Sequence, residues 1–190
     1  MQLVFATNNQ NKIKEVQALI PDHIKLVSLI EIGCFEEISE TQNTIEGNAF
    51  QKATYVKKHY GYDCFADDTG LEVDVLKGEP GVYSARYSGE QCNANDNMKK
   101  LLLNLQQSSN RNARFKTVIA LELNNKQYTF TGICEGKITK TKRGKSGFGY
   151  DPIFIPNGYK ETFAEMDLSL KNKIGHRGKA IQLLVDFLNS

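Results

Sequence analysis

The chain has 190 residues, 40% of them hydrophobic, enough to bury a core without metal or disulfide support, and a single domain over residues 1–190 is the expectation. Its 24 basic and 22 acidic residues leave a formal charge of +2, so the polyelectrolyte signature of a nucleic-acid binder is missing. Cys34, Cys64, Cys92 and Cys134 form no CxxC pair, Leu3-Val4-Phe5-Ala6 is too short for a signal-peptide core, and no apolar run approaches membrane-spanning length. These features predict a soluble, cytoplasmic protein with reduced thiols and with neither membrane nor nucleic acid as partner.

Strand and helix signals alternate from the start. Leu3 to Ala6 reads as a short buried strand, and Lys12 to Ile20 carries Ile13, Val16, Leu19 and Ile20 at helical spacing before Pro21 stops it. Ile24 to Leu29 predicts a second strand. Thr44 can cap a helix with Ile45, Ala49, Ala53 and Val56 on one face, ended near Gly61. Cys64-Phe65-Ala66 returns as a strand. A Gly- and Pro-bearing segment, 77–89, leads to a helix over about 95–107 with Met98, Leu101, Leu102 and Leu105 as its apolar stripe. Phe115 to Leu123 and Tyr128 to Cys134 flank Asn124-Asn125 as a hairpin, and Lys179 to Leu188 forms a last helix. The sum is one α/β chain with a mixed sheet.

The junction of Ala66 with Asp67-Asp68-Thr69-Gly70 is the most informative point. Neighbouring residues of a strand face opposite sides, so paired acids fit a strand end better than its interior. In open α/β sheets ligands bind at that end, where two carboxylates can hold a divalent cation, activate a water, or divide both tasks. A solvated turn is the competing reading. Thr7-Asn8-Asn9-Gln10-Asn11-Lys12, between the first strand and first helix, offers amides, a hydroxyl and an ammonium suited to phosphate, without the glycines of a Walker A loop; a capped helix start is the alternative. Glu40 precedes the Thr44 helix, and Lys52 follows Asn48 at i, i+4 spacing within it. In Ser146-Gly147-Phe148-Gly149-Tyr150-Asp151-Pro152 the glycines allow close backbone approach and Phe148 offers a face for a base, or else plugs the core. Gly175-His176-Arg177-Gly178 opens the last helix with two donors, and Lys171 lies just upstream.

Together these blocks resemble the inosine/xanthosine triphosphate pyrophosphatase family. The resemblance rests on Thr7 to Lys12, Glu40-Thr41-Gln42-Asn43-Thr44, Asn48-Ala49, Phe65 to Leu71, Pro80 to Tyr87, Gly147 to Pro152 and His176-Arg177-Gly178, and it spans nearly the whole chain. Gly47 stands where an acid is usual, and Gly175 where a serine is usual, which is expected to loosen the base-recognition loop. The resemblance implies a two-lobed α/β fold with a long central mixed sheet flanked by helices, a nucleotide cleft between the lobes, and a homodimer. It further implies Mg²⁺-dependent hydrolysis of the α–β phosphoanhydride of ITP, dITP or XTP to the monophosphate and pyrophosphate, which cleanses the nucleotide pool.

Within that frame Glu40, Asp67 and Asp68 are the expected metal ligands, with Asp68 the base for the attacking water. Thr7, Asn8, Asn9, Gln10, Asn11 and Lys12 would cradle phosphates, assisted by Lys52 and Thr69. Phe148 would stack on the base, with Gly149, Tyr150 and Asp151 beside it. Lys171, His176 and Arg177 would supply donors, since hypoxanthine and xanthine carry a C6 carbonyl where adenine has an amine. Two rivals are a non-catalytic nucleotide-binding module and a nucleic-acid binder built on Lys137, Lys140, Lys142, Arg143 and Lys145.

Overall fold

The first apolar run forms strand β1 (Gln2–Phe5), and the polar loop after it turns into helix α1 (Gln10–Gln17), which starts two residues before the expected Lys12 and ends before Leu19 and Ile20, the last two residues of the expected stripe. The structure, a computed structural model, describes residues 1–190. Strand β2 (Lys25–Val27) is shorter than the apolar run that announced it. Helix α2 (Ile45–Tyr60) has the expected ends: Thr44 Oγ1 accepts from Gly47 N at 3.0 Å, and Gly61 closes it at φ 77°. Then come β3 (Cys64–Val73), β4 (Pro80–Gly81), α3 (Ala94–Asn104), β5 (Asn112–Leu123), β6 (Lys126–Ile138), β7 (Phe154–Pro156), α4 (Leu168–Ile174) and α5 (His176–Leu188). Asn124 and Asn125 sit at φ 50° and 61°, the left-handed pair that a tight two-residue hairpin needs between β5 and β6.

One mixed sheet of seven strands results, in the order β2-β1-β3-β5-β6-β7, with β4 paired to β3. Strand β1 is parallel to both neighbours, with Val4 opposite Val27 and Phe5 opposite Phe65. Pairs β3–β4 and β6–β7 are antiparallel. The expected α/β class with helices flanking a mixed sheet is therefore the one observed. No helix is long and apolar enough to cross a membrane.

Two compact units can be distinguished. Unit 1 comprises Met1–Asp68, Thr117–Gly132 and Arg177–Ser190. Its core joins Leu3, Phe5, Val16, Phe65, Ile119, Leu121, Ile181 and Leu184, and the Phe5 and Phe65 rings stack at 4.6 Å. Truncating either ring would cost about 3–5 kcal/mol. Cys64 belongs to the same interior: its Sγ donates to Ala53 O at 3.2 Å, and burial pushes the thiol up to about 12. Unit 2 comprises Thr69–Lys116 and Ile133–His176, around Leu71, Met98, Leu101, Phe115, Phe154 and Phe163.

One local expectation fails. Strand β3 does not end before the acids but runs through Asp67 and Asp68, both buried. The backbone bonds explain the difference. Parallel pairing with β1 stops at Phe65, whose carbonyl receives Ala6 N, while the chain continues in extended form to pair with β4 through Leu71 and Glu72. The acids thus stand at the C-terminal end of the parallel segment and in the middle of the strand, and buried charges persist there because partners surround them.

Candidate active site

The partners of Asp67 come from three elements of unit 1. Lys12, in the first turn of α1, donates from Nζ to Asp67 Oδ1 at 2.9 Å and to its carbonyl at 3.3 Å. Lys52, two turns into α2, donates to the same carbonyl at 2.8 Å and pairs with Glu40. Arg177, at the start of α5, donates from Nε to Asp67 Oδ2 at 3.0 Å and from an Nη to Glu15. Asp68 accepts a bond from Asn48 Nδ2 at 3.2 Å. Four carboxylates, Glu15, Glu40, Asp67 and Asp68, thus meet three cations.

The electrostatics follow from burial and charge together. Burial alone would raise the Asp67 carboxyl, but Lys12, Arg177 and Lys52 overcome it and hold the group well below the usual carboxylate range. Burial lowers the Lys12 ammonium, and Lys52 and Arg177 add to that effect against the pull of Asp67. For Lys52, burial works downward, yet Glu40, Asp68 and Asp67 prevail and its affinity for the proton rises. Glu40, in turn, is lowered despite burial because Lys52 faces it. No three His, Cys, Asp or Glu side chains converge on a point where they alone could hold a metal.

The Thr7–Lys12 loop is organised locally. Asn9 Oδ1 accepts from Asn11 N at 3.0 Å and Lys12 N at 3.2 Å, and Thr7 Oγ1 accepts from Asn9 N at 3.2 Å. The helix start is therefore capped, as the structural alternative anticipated, while Asn8, Asn9, Gln10 and Asn11 remain exposed. Thr69 is half-buried and is the first residue of unit 2.

The aromatic cluster lies in unit 2. Gly147 and Gly149 have φ values of 75° and 61°. At Gly147 an added Cβ would stand 2.2 Å from Asp151 Oδ2, so glycine there admits the Asp151 carboxylate. That oxygen accepts from Phe148 N at 2.8 Å and from Lys171 Nζ at 2.7 Å. The Lys171 ammonium lies 4.9 Å from the Phe148 ring centre and 5.7 Å from that of Phe163. Tyr150 is buried, its hydroxyl donating to Ser84 O at 2.8 Å, and burial raises its pKa. His176 is buried against Phe115, the rings 4.5 Å apart and 18° from parallel.

His176 and Arg177 are adjacent in sequence and were expected to act together, yet one packs among the rings of unit 2 and the other joins the ionic network of unit 1. Adjacent residues at a helix start point about 100° apart, which allows this division. Gly175 does not loosen its loop. Its N–H bonds to Lys171 O at 2.8 Å, and an added Cβ would lie 2.5 Å from that oxygen, so the larger residue expected there would need the backbone to shift. In the basic stretch, Arg143 pairs with Glu165 at 2.7 Å, which offsets one cation of the row, and Lys142 bonds to Asn95.

Glu15 and Asn48 are the two members of the network to which no role had been assigned. Glu15 follows Lys12 at i, i+3 spacing on α1, and Asn48 precedes Lys52 at i, i+4 on α2, so each shares a helix face with a candidate residue. Their partners 162 and 20 positions away carry no local signal.

The sequence matches the model of the Ham1 family over residues 3–187. The chain belongs to the Ham1 family. A protein of Flavobacterium johnsoniae named dITP/XTP pyrophosphatase is 63% identical over 190 residues, covering 100% of this chain and 99% of its own. Among solved structures, the Ham1 protein of Staphylococcus aureus is 38% identical, with a TM-score of 0.91 over 100% of this chain and 98% of its own. A HAM1 protein from Coxiella burnetii, also 38% identical, has a TM-score of 0.92 with the same coverage. These Ham1 structures share the architecture described above along its full length.

Proposed function

We propose that the protein is a nucleoside-triphosphate diphosphatase that hydrolyses dITP, XTP and ITP to the monophosphate and pyrophosphate, removing deaminated purines from the nucleotide pool. The names of its relatives support the reaction class. The observation that carries it to these residues is the cluster in which Lys12, Lys52 and Arg177 surround Asp67 with Asp68 and Glu40 alongside.

A triphosphate brings about four negative charges, which repel an incoming hydroxyl unless cations neutralise them. Four carboxylates against three cations leave the cluster itself no positive excess, so a divalent cation is needed to bind such a substrate. The donor set fits Mg²⁺, which is commonly held by one or two carboxylates together with substrate phosphates rather than by a complete protein cage. Glu40 and Asp68 would hold it, and when bound it would neutralise phosphate charge and polarise the reacting phosphoryl group. Asp67, with one oxygen on Lys12 and the other on Arg177, serves better as the anchor that aims those cations.

The chain's own groups account for the remainder. Asp68 takes a proton from water as the water oxygen bonds to the α-phosphorus and the bond to the bridging oxygen breaks, releasing pyrophosphate. Lys12 and Lys52 stabilise the charge that gathers on the phosphate oxygens. Phe148 offers its ring to the purine, and Lys171 and His176 of the same unit supply donors toward the C6 and C2 carbonyls, where the amine of adenine would set donor against donor; Arg177 is held instead by Asp67 and Glu15. A homodimer is part of the same reading.

The test is product analysis with dITP, XTP, ITP, ATP and GTP at equal concentration, with Mg²⁺ and then with excess chelator. Metal-dependent release of pyrophosphate is expected, fast from the deaminated purines and far slower from ATP and GTP. Release of orthophosphate would refute cleavage at the α–β bond, and no turnover of any triphosphate would refute the reading in favour of a binding module.

A further inference from the structure

Three consecutive residues before α2 are each held by one residue of that helix. Glu40 pairs with Lys52; Thr41 N donates to Gln51 Oε1 at 3.0 Å; Gln42 N donates to Asn48 Oδ1 at 2.9 Å. Residues 51 and 52 lie one turn beyond residue 48, at i, i+3 and i, i+4 spacing on the same side of the helix. Gly47 permits the close approach, because a Cβ there would stand 2.7 Å from Gln42 Cβ. The glycine that departs from the family pattern is thus accounted for by the segment packed against it.

Asn48 goes beyond closing this seam. It is 0% exposed, and its other end, Nδ2, donates to Asp68 Oδ2. A primary amide has one accepting and one donating end, and the Gln42 N–H can be met only by Oδ1. The NH₂ end must therefore face Asp68 and demands an acceptor there. The flipped amide would set donor against donor at Gln42 and acceptor against acceptor at Asp68, each a buried mismatch.

We propose that Asn48 is a positioning residue for Asp68: it sets the rotation of that carboxylate and ties it to the segment that carries Glu40, so that the two acids hold one geometry. This rests on Asp68 acting as the base toward water.

Two substitutions test it. Asn48→Asp keeps the side-chain shape but replaces the Nδ2 donor with an acceptor, and Asn48→Ala removes both ends. In each, kcat for ITP should fall about 10- to 100-fold, the loss expected when a hydrogen bond to a charged group is broken. KM and the affinity for the product IMP, measured by calorimetry, should stay within about threefold of wild type. A folded variant whose kcat stays within about threefold, or whose IMP affinity falls as far as its kcat, overturns the positioning role. Should neither variant fold, the Asn48 side-chain amide signals of the wild-type protein and of Asp68→Asn carry the test by NMR. The signals should shift and exchange faster when the carboxylate is replaced, and unmoved signals refute the contact. Near-normal turnover in Asp68→Asn removes the base role and this proposal with it. Lost turnover there beside intact kcat in Asn48→Asp removes the role of Asn48 alone.

Discussion

The Asp67 cluster of unit 1 is built from charge, whereas the Phe148 cluster of unit 2 is built from rings. Around Asp67 the working groups are ammonium, guanidinium and carboxylate held by charge-assisted bonds, with the cations drawn from α1, α2 and α5. Around Phe148 the polar groups are few: one Asp151–Lys171 pair seated among Phe148, Phe163 and the Phe115–His176 stack. A buried charged network stabilises little by itself but presents strong fields where charge develops, and an aromatic platform does the reverse, giving contact area that tolerates chemistry poorly and shape well. Under the proposed function, turnover and selection have separate addresses in this sequence, and substitutions can separate them.

The largest effect is expected at Asp68. Asp68→Asn should lower kcat about 10³-fold while leaving ITP binding measurable by calorimetry; a near-wild-type rate would move the base elsewhere. Next is Lys12→Met, which withdraws a cation from Asp67 and from the phosphates. Its kcat should fall about 10²-fold for every substrate, and thermal unfolding should report about 3 kcal/mol of lost stability, because a carboxylate 1% exposed loses one of its partners.

In unit 2, Phe148→Ala should raise KM about tenfold with little change in kcat, since one base–aromatic stack is removed. A loss confined to kcat would mean that the ring serves the chemistry after all.

Two smaller effects concern pH. The folded-state pKa of Asp67 is depressed, so its ion pairs contribute fully above the ordinary carboxylate value of about 4 and are lost as pH falls through the lower folded value. Stability followed by denaturant titration should therefore drop on the acid side of pH 4, and Asp67→Asn should flatten that limb. Glu36, held at about 2 by the Tyr60 hydroxyl, then its own backbone and Tyr55, titrates in the same direction away from the network. Tyr60→Phe should raise its titration midpoint, seen by NMR, with turnover unchanged.

Local chemistry made much of this legible. The β1–α1 unit, the Thr44 and Gly61 ends of α2 and the Asn124-Asn125 hairpin all follow from spacing and turn residues that act within a few positions. What escaped were decisions made at long range. Two adjacent acids argue against a strand interior until Lys12 and Arg177, 55 and 110 positions away, arrive to satisfy Asp67. Likewise His176-Arg177 reads as one pair of donors, because nothing in the sequence tells that Glu15 and Asp67 engage the second of them. Tyr150 has the composition of a binding loop and the environment of a core, settled by Ser84 from a distant turn.

The most direct measurement compares relative kcat/KM for XTP, dITP, ITP, GTP and ATP in wild type, Lys12→Met and Phe148→Ala. Lys12→Met should slow all five alike and keep their ratios, while Phe148→Ala should compress the ratios between deaminated and ordinary purines. Ratios altered by Lys12→Met and preserved by Phe148→Ala would contradict the division of turnover and selection.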